Sequence, residues 1–212
     1  MGYKVLASMN IAVIGSGPVS EAYASGFAYA GHNVFLAMKD GDDSGIDPLL
    51  ELHPNLVFST IEDAAAVADL IVIAMPPRDV REVAYWLGDV RRKVIIDASA
   101  NVHAPEEELV RTVCAIHAIT GSPHVVKVFN TRGYEAWVAD MFQQEKIDLF
   151  MVSNSIKAKE ITRIMAGDLG MRYCFDFGDN QHIPFFNEMT KMLRRMYSQQ
   201  KVARKTRSRV HR

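Results

Sequence analysis

The stretch Ile11-Ala-Val-Ile-Gly15-Ser-Gly17-Pro-Val-Ser20 constrains this chain more than any other. An apolar run meets two glycines one residue apart. An alanine-rich run to Gly31 and then Asn33-Val-Phe-Leu-Ala37 follow. The order reads as strand, glycine turn, helix, glycine stop, strand. In such a turn Gly15 permits the tight bend and Gly17 lets a pyrophosphate approach the backbone. Ser20 holds the third position, where a small residue lets the helix pack on the strand. A helix opening at Pro18 aims N–H groups and the positive end of its dipole at an anion. The bland alternative is a tight turn that holds no ligand. The strand before it and the helix after it weigh in favour of a dinucleotide.

The rest of the chain repeats this alternation. Strands are expected at Ile11–Ile14, Asn33–Ala37, Leu56–Phe58, Leu70–Ala74, Val94–Asp97, Val125–Phe129, Leu149–Val152 and Tyr173–Phe175. Several are continuously apolar, as parallel strands covered on both faces are. Helix signals fill the gaps. Ser59 with Glu62 reads as a capping box for a run to Ala68. Pro77 opens a helix that Gly88 stops, and Pro105-Glu-Glu-Glu108 places acid in a first turn. Ser155 to Ala166 is amphipathic and reads as ending at Gly167. The pattern predicts an α/β fold with a doubly wound, mainly parallel sheet.

Residues 1–180 form the expected dinucleotide-binding domain. Phe185, Met189, Met192, Leu193 and Met196 then recur at helical spacing, which predicts a packing or oligomerisation helix over 181–200. A basic tail, expected to be disordered, fills 201–212. From Lys191 onward there are nine lysines and arginines and no acidic residue, against 24 basic and 25 acidic residues in all. The body is therefore acidic. The tail lacks interleaved aromatics, so a solvated tail is favoured over a nucleic-acid contact.

Cys114 and Cys174 match no metal or redox spacing and read as buried free thiols. No apolar stretch has the length of a membrane span and no signal-peptide pattern opens the chain. A soluble cytoplasmic protein is expected.

In an open α/β sheet, ligands bind beyond the carboxyl ends of the strands. The residues there are Gly15, Ser16, Gly17, Pro18 and Val19, then Met38, Lys39 and Asp40. Next come Ala74, Met75, Pro76 and Pro77, then Ala98, Ser99, Ala100 and Asn101, and finally Asn130, Thr131 and Arg132. They predict a rim around one extended ligand. An acidic residue ending the second strand would bind ribose hydroxyls. That end reads Met38-Lys39, which suits a 2′-phosphate, with Asp40 the rival reading for a plain ribose. His117, His124 and His103 read as surface or loop residues, His103 alone lying on the rim. No nucleophile elbow, phosphate loop of the Walker type or metal signature occurs.

Ile14-Gly15-Ser-Gly17-Pro-Val-Ser-Glu-Ala, Gly31-His32, Ala74-Met-Pro-Pro77 and Val94-Ile-Ile-Asp97-Ala-Ser99 resemble the coenzyme F420 (deazaflavin)-dependent NADP oxidoreductases. Val125-Val-Lys127-Val-Phe129-Asn130-Thr131 is the most specific part of that resemblance. The same segments resemble the cytosolic domain of the six-transmembrane metalloreductases. The resemblance runs to about Asp179. It implies a Rossmann-like fold, NADP(H) as cofactor and hydride exchange with a flavin or deazaflavin. It further implies that Gly15 to Val19 hold the pyrophosphate and that Met38 and Lys39 face the 2′-phosphate. Pro76, Ser99 and Asn130 would line the path to the nicotinamide. Ser20 stands where the family has Gly or Ala, Met38-Lys39 where it often has Ser-Arg, and Phe175 to His182 match its end loosely.

Two functions follow as expectations. One is an NADP(H)-dependent oxidoreductase acting on a small hydride acceptor, assembled as a homodimer. The other is a non-catalytic dinucleotide-binding protein that senses redox state.

Overall fold

The computed structural model describes residues 8–39, 47–99, 106–130, 148–171, 173–193 and 196. Within them lies one eight-stranded sheet. Its strands are β1 (Asn10–Ile14), β2 (Asn33–Ala37), β3 (Leu56–Ser59), β4 (Leu70–Ile73), β5 (Val94–Asp97), β6 (Val125–Asn130), β7 (Leu149–Val152) and β8 (Cys174–Asp176). The spatial order is β3-β2-β1-β4-β5-β6-β7-β8. Strands β1 to β6 run parallel. Strand β7 is antiparallel to β6, with Asn130 opposite Leu149, and β8 is parallel to β7. The strand order reverses between β1 and β4, which makes that crevice the topological switch point.

The strands predicted from apolar runs are all present. Their continuity has a simple cause: Ile11 to Ile14 and Leu70 to Ile73 are wholly buried, with helices on both faces. Alternate residues serve opposite cores. Ile11, Val13, Leu70 and Val72 pack toward α1 (Pro18–Tyr29) and α6 (Ile156–Asp168). Ala12, Ile14, Ile71 and Ile73 face the other core. That core is covered by α3 (Ile61–Val67), α4 (Pro77–Trp86), α5 (Glu106–Thr120) and a last helix, α7, over 183–193. The short α2 (Asp47–Leu52) precedes β3.

Four local expectations are corrected. Thr60, not Ser59, caps α3: its hydroxyl accepts from the Asp63 N–H at 3.1 Å and donates to the Asp63 carboxylate at 2.8 Å. Ser59 is spent as the last residue of β3. Helix α6 runs through Gly167 to Asp168, and the stop falls at Gly170, whose φ of +71° only glycine adopts at low cost. Cys114 is exposed, because it shares the outward face of α5 with Arg111 and His117. Cys174 is half-buried and its thiol is pushed up to about 11 by burial, with the Asp176 carboxylate adding to the shift.

The fourth correction concerns α7. The five apolar residues expected on one face divide. Met189 and Leu193 pack against the core beside buried Ile183 and Phe186, while Phe185, Met192 and Met196 face outward. Among the described residues no helix is long and apolar enough to cross a membrane. The tail at 201–212 lies outside the described residues.

Candidate dinucleotide site

The carboxyl ends of the strands are laced together in one line. The Gly15 N–H donates to the Ala37 carbonyl at 2.9 Å and the Ala74 N–H to the Ile14 carbonyl at 2.8 Å. The Ala98 N–H donates to the Ile73 carbonyl at 2.9 Å. The expected rim residues Gly15, Met38, Ala74, Met75 and Ser99 therefore sit along one edge of the sheet. Asn130 ends β6 on the same edge. Its side chain and Asp40, Asn101, His103, Thr131 and Arg132 fall outside the described residues.

The two glycines of the turn have different physical reasons to be glycine. Gly15 has a φ of +150°, and a Cβ built there would lie 2.2 Å from the Ala74 carbonyl oxygen. The protein itself forbids a side chain at that position. Gly17 has an extended backbone, with φ −116°, and a Cβ there would meet nothing within 4 Å. Nothing in the protein's own packing requires Gly17 to be small. Open space in front of it is what an approaching phosphate needs.

Ser20 does more than keep α1 close to the sheet. It is fully buried, its hydroxyl donates to the Gly17 carbonyl at 2.6 Å, and it accepts from the Gly17 N–H at 3.1 Å. The first intrahelical donor is the Glu21 N–H, bonded to the Gly17 carbonyl at 3.1 Å. Of the four N–H positions a helix start leaves open, Ser20 fills that of Gly17 and Pro18 has none. Ser20 is fully buried, so the half-buried Val19 is left to present an N–H at the open start of the helix.

Lys39 follows β2 as expected, but its ammonium is engaged. It lies 2.6 Å from Glu82 Oε2 and 3.6 Å from Asp79 Oδ1, both on α4. The hydrogen bond to Glu82 raises the ammonium above its ordinary value, and the Asp79 charge adds to this. Arg78, highly exposed, reaches the other oxygen of Asp79 at 3.7 Å. The sequence placed Lys39 but gave no sign of its α4 partners, which lie about forty positions further on.

The edge near β5 and β6 is closed by a buried polar cluster. Lys127 Nζ donates to Asp97 Oδ2 at 2.9 Å, to the Ser99 carbonyl at 3.2 Å and to Thr112 Oγ1 at 3.2 Å. The Thr112 hydroxyl donates to Asp97 Oδ2 at 2.6 Å, and the Ser99 hydroxyl donates to Asp97 Oδ1. The Ser99 N–H bonds the same oxygen at 2.9 Å. All four side chains are buried. Ser99, expected to line the cofactor path, thus has its hydroxyl committed to Asp97. The cluster follows from strand register, since β5 and β6 pair Asp97 with Lys127. A lysine inside an apolar strand is the mark in the sequence of a buried partner.

Three of the described histidines have structural partners. His32 is buried, with Nε2 3.2 Å from Asp168 and Nδ1 accepting from the Met9 N–H at 3.2 Å. His117 bonds the Ser122 carbonyl and His124 the Ser155 hydroxyl, away from the glycine turn. Among the described residues no group of three or more His, Cys, Asp and Glu is placed to hold a metal ion.

Residues 10–101 match the family model described as NADP oxidoreductase, coenzyme F420-dependent. No curated protein sequence matches the chain. A protein from Arthrobacter sp. FB24 assigned as an F420-dependent NADP-reductase is 21% identical in solved structure. It superposes with a TM-score of 0.66 over 88% of this chain and 90% of its own. An imine reductase variant from Myxococcus stipitatus, solved with NAD+, is 16% identical with a TM-score of 0.67, over 95% of this chain and 64% of that one. A reductive aminase from Aspergillus terreus, solved with NADPH and ethyl levulinate, is 15% identical with a TM-score of 0.64, over 86% and 60%. This chain thus spans less than two thirds of the length of the latter two. At these identities the superpositions establish a shared fold. The family match spans β1 to β5 and covers under half of the chain.

Proposed function

We propose that this chain is an NADP(H)-dependent oxidoreductase that exchanges a hydride with a flavin, a deazaflavin or a similar small acceptor. The observation that carries the reading is the pair of glycines at the switch point. Gly15 is fixed by the protein, and Gly17 opens onto space at the start of α1. The family match across residues 10–101 supports the same reading.

The residues present fit a dinucleotide. The Gly15 to Val19 turn would hold the pyrophosphate, with the Val19 N–H as a donor, and the dipole of α1 favours its charge. Lys39 faces the adenosine end, and the Ala74-Met75-Pro76 turn and Ser99 backbone border the path along the sheet edge. When bound, the nicotinamide gives or takes a hydride, and the protein's task is to hold it against the acceptor. No acid or base side chain is needed for that transfer. The outward face of α7, with Phe185, Met192 and Met196, supports assembly as a homodimer.

A second reading, a non-catalytic dinucleotide sensor, is favoured by one observation. The charged side chains at the β5–β6 edge, Asp97 and Lys127, are spent on each other. The experiment that separates the two is turnover. NADPH oxidation by the purified protein on adding free flavins or a deazaflavin supports the enzyme. Binding of NADPH with no oxidation by any of these acceptors supports the sensor.

A further inference from the structure

Lys39 is the single lysine or arginine between Lys4 and Arg78, and Asp40, Asp42 and Asp43 follow it in sequence. Lys39 is therefore the one cation that the end of β2 itself supplies. That cation is not free. Glu82 holds it at 2.6 Å and Asp79 stands at 3.6 Å, from successive turns of α4 on the facing side of the crevice. Glu82 is half exposed, so its position is not forced by packing.

The consequence is electrostatic. Arg78 stands at 3.7 Å from Asp79, so Lys39 and Arg78 together only balance Glu82 and Asp79, and a ribose 2′-phosphate brought to Lys39 must compete with the Glu82 carboxylate already on it. Lys39 can serve the phosphate fully only by leaving Glu82. A plain ribose carries no such charge and meets no such competition. We infer that Glu82, assisted by Asp79, determines cofactor specificity in this chain, by occupying Lys39 and so weakening its recognition of the 2′-phosphate. This rests on the reading of the site as an NADP(H) site. It adds that α4, and not the end of β2 alone, sets the preference.

The pair is solvent-accessible, so the effect is modest, on the scale of an exposed ion pair. Removing the Glu82 charge frees Lys39 for the phosphate. Specificity expressed this way is a difference between two affinities, and a carboxylate that opposes one ligand is a direct means to it.

The test is a calorimetric cycle with NADPH and NADH on the wild type, Glu82→Gln, Lys39→Ala and the double variant. Glu82→Gln is expected to tighten NADPH binding about two- to fivefold and to leave NADH binding within about twofold. The gain is expected to vanish in the Lys39→Ala background. Binding of both dinucleotides with an unchanged NADPH-to-NADH ratio in Glu82→Gln overturns this inference and leaves the proposed function standing. An equal gain with and without Lys39 also overturns it, since the carboxylate would then act as a general field. Binding of neither dinucleotide to the folded wild type overturns both.

Discussion

Lys127 and Asp97 form a fully buried ion pair across neighbouring parallel strands, 2.9 Å apart. Both partners also carry hydrogen bonds within the cluster, from Thr112 and Ser99 to Asp97 and from Lys127 to the Ser99 carbonyl. Removing one partner strands the other charge in the interior. Lys127→Met or Asp97→Asn is expected to cost about 3–5 kcal/mol in urea unfolding. The double variant is expected to recover part of that loss. Additive losses in the double variant would mean the two groups do not stabilise each other.

The two glycines of the turn are expected to separate stability from binding. Gly15→Ala places a Cβ against the Ala74 carbonyl and should cost at least about 2 kcal/mol of stability. Gly17→Val meets no protein atom at its Cβ and should leave thermal unfolding nearly unchanged. Its dinucleotide affinity should fall by at least roughly tenfold. Thermal melts beside calorimetry read both effects. A Gly17→Val protein that binds normally would remove this turn from the site.

Much of this was legible in the sequence. The strand ends that form the rim were readable because several strands, β1 and β4 above all, are apolar runs followed closely by a glycine or a proline. The glycine turn carried its own context. What escaped was long-range. The Glu82 partner of Lys39 lies on a different element, and no local pattern joins them. The Ser99 hydroxyl looked available because its partner, Asp97, reads as an ordinary strand end. The α7 stripe divides for a geometric reason. Met189 and Leu193 lie near the boundary between the inward and outward faces of the helix, and the core claims them while leaving Phe185 and Met192 outside.

That outward face leads to a third prediction. Met192→Asp puts a charge at the centre of the apolar strip and should shift the protein toward monomer in sedimentation velocity. Thermal stability should change little, because Met192 is exposed. A wild type that sediments as a monomer would remove the homodimer.

The two thiols should behave differently toward alkylation. Cys114 is exposed, whereas burial pushes Cys174 up to about 11. At neutral pH, iodoacetamide should modify Cys114 first and reach Cys174 mainly after unfolding. The linkage has a definite sign. An unfolded thiol ionises near its ordinary value of 9.0 while the folded Cys174 still holds its proton. Its contribution to stability is therefore fully present below about pH 9 and declines as pH rises toward about 11. Chemical denaturation of wild type and Cys174→Ala across that window measures it. A wild-type curve parallel to that of the variant would show that Cys174 carries no such linkage.

The reversal of β7 has a consequence for how such a protein can diversify. Because Asn130 pairs with Leu149, the chain leaves β6 and enters β7 at the same edge of the sheet, the edge that carries the glycine turn. A connection between antiparallel neighbours of this kind does not have to cross the sheet. Changing the length of such a segment costs little closure entropy and leaves every strand register as it was. The strands that carry the glycine turn and the connection that follows β6 are separate parts of the chain, so the second can change without disturbing the first.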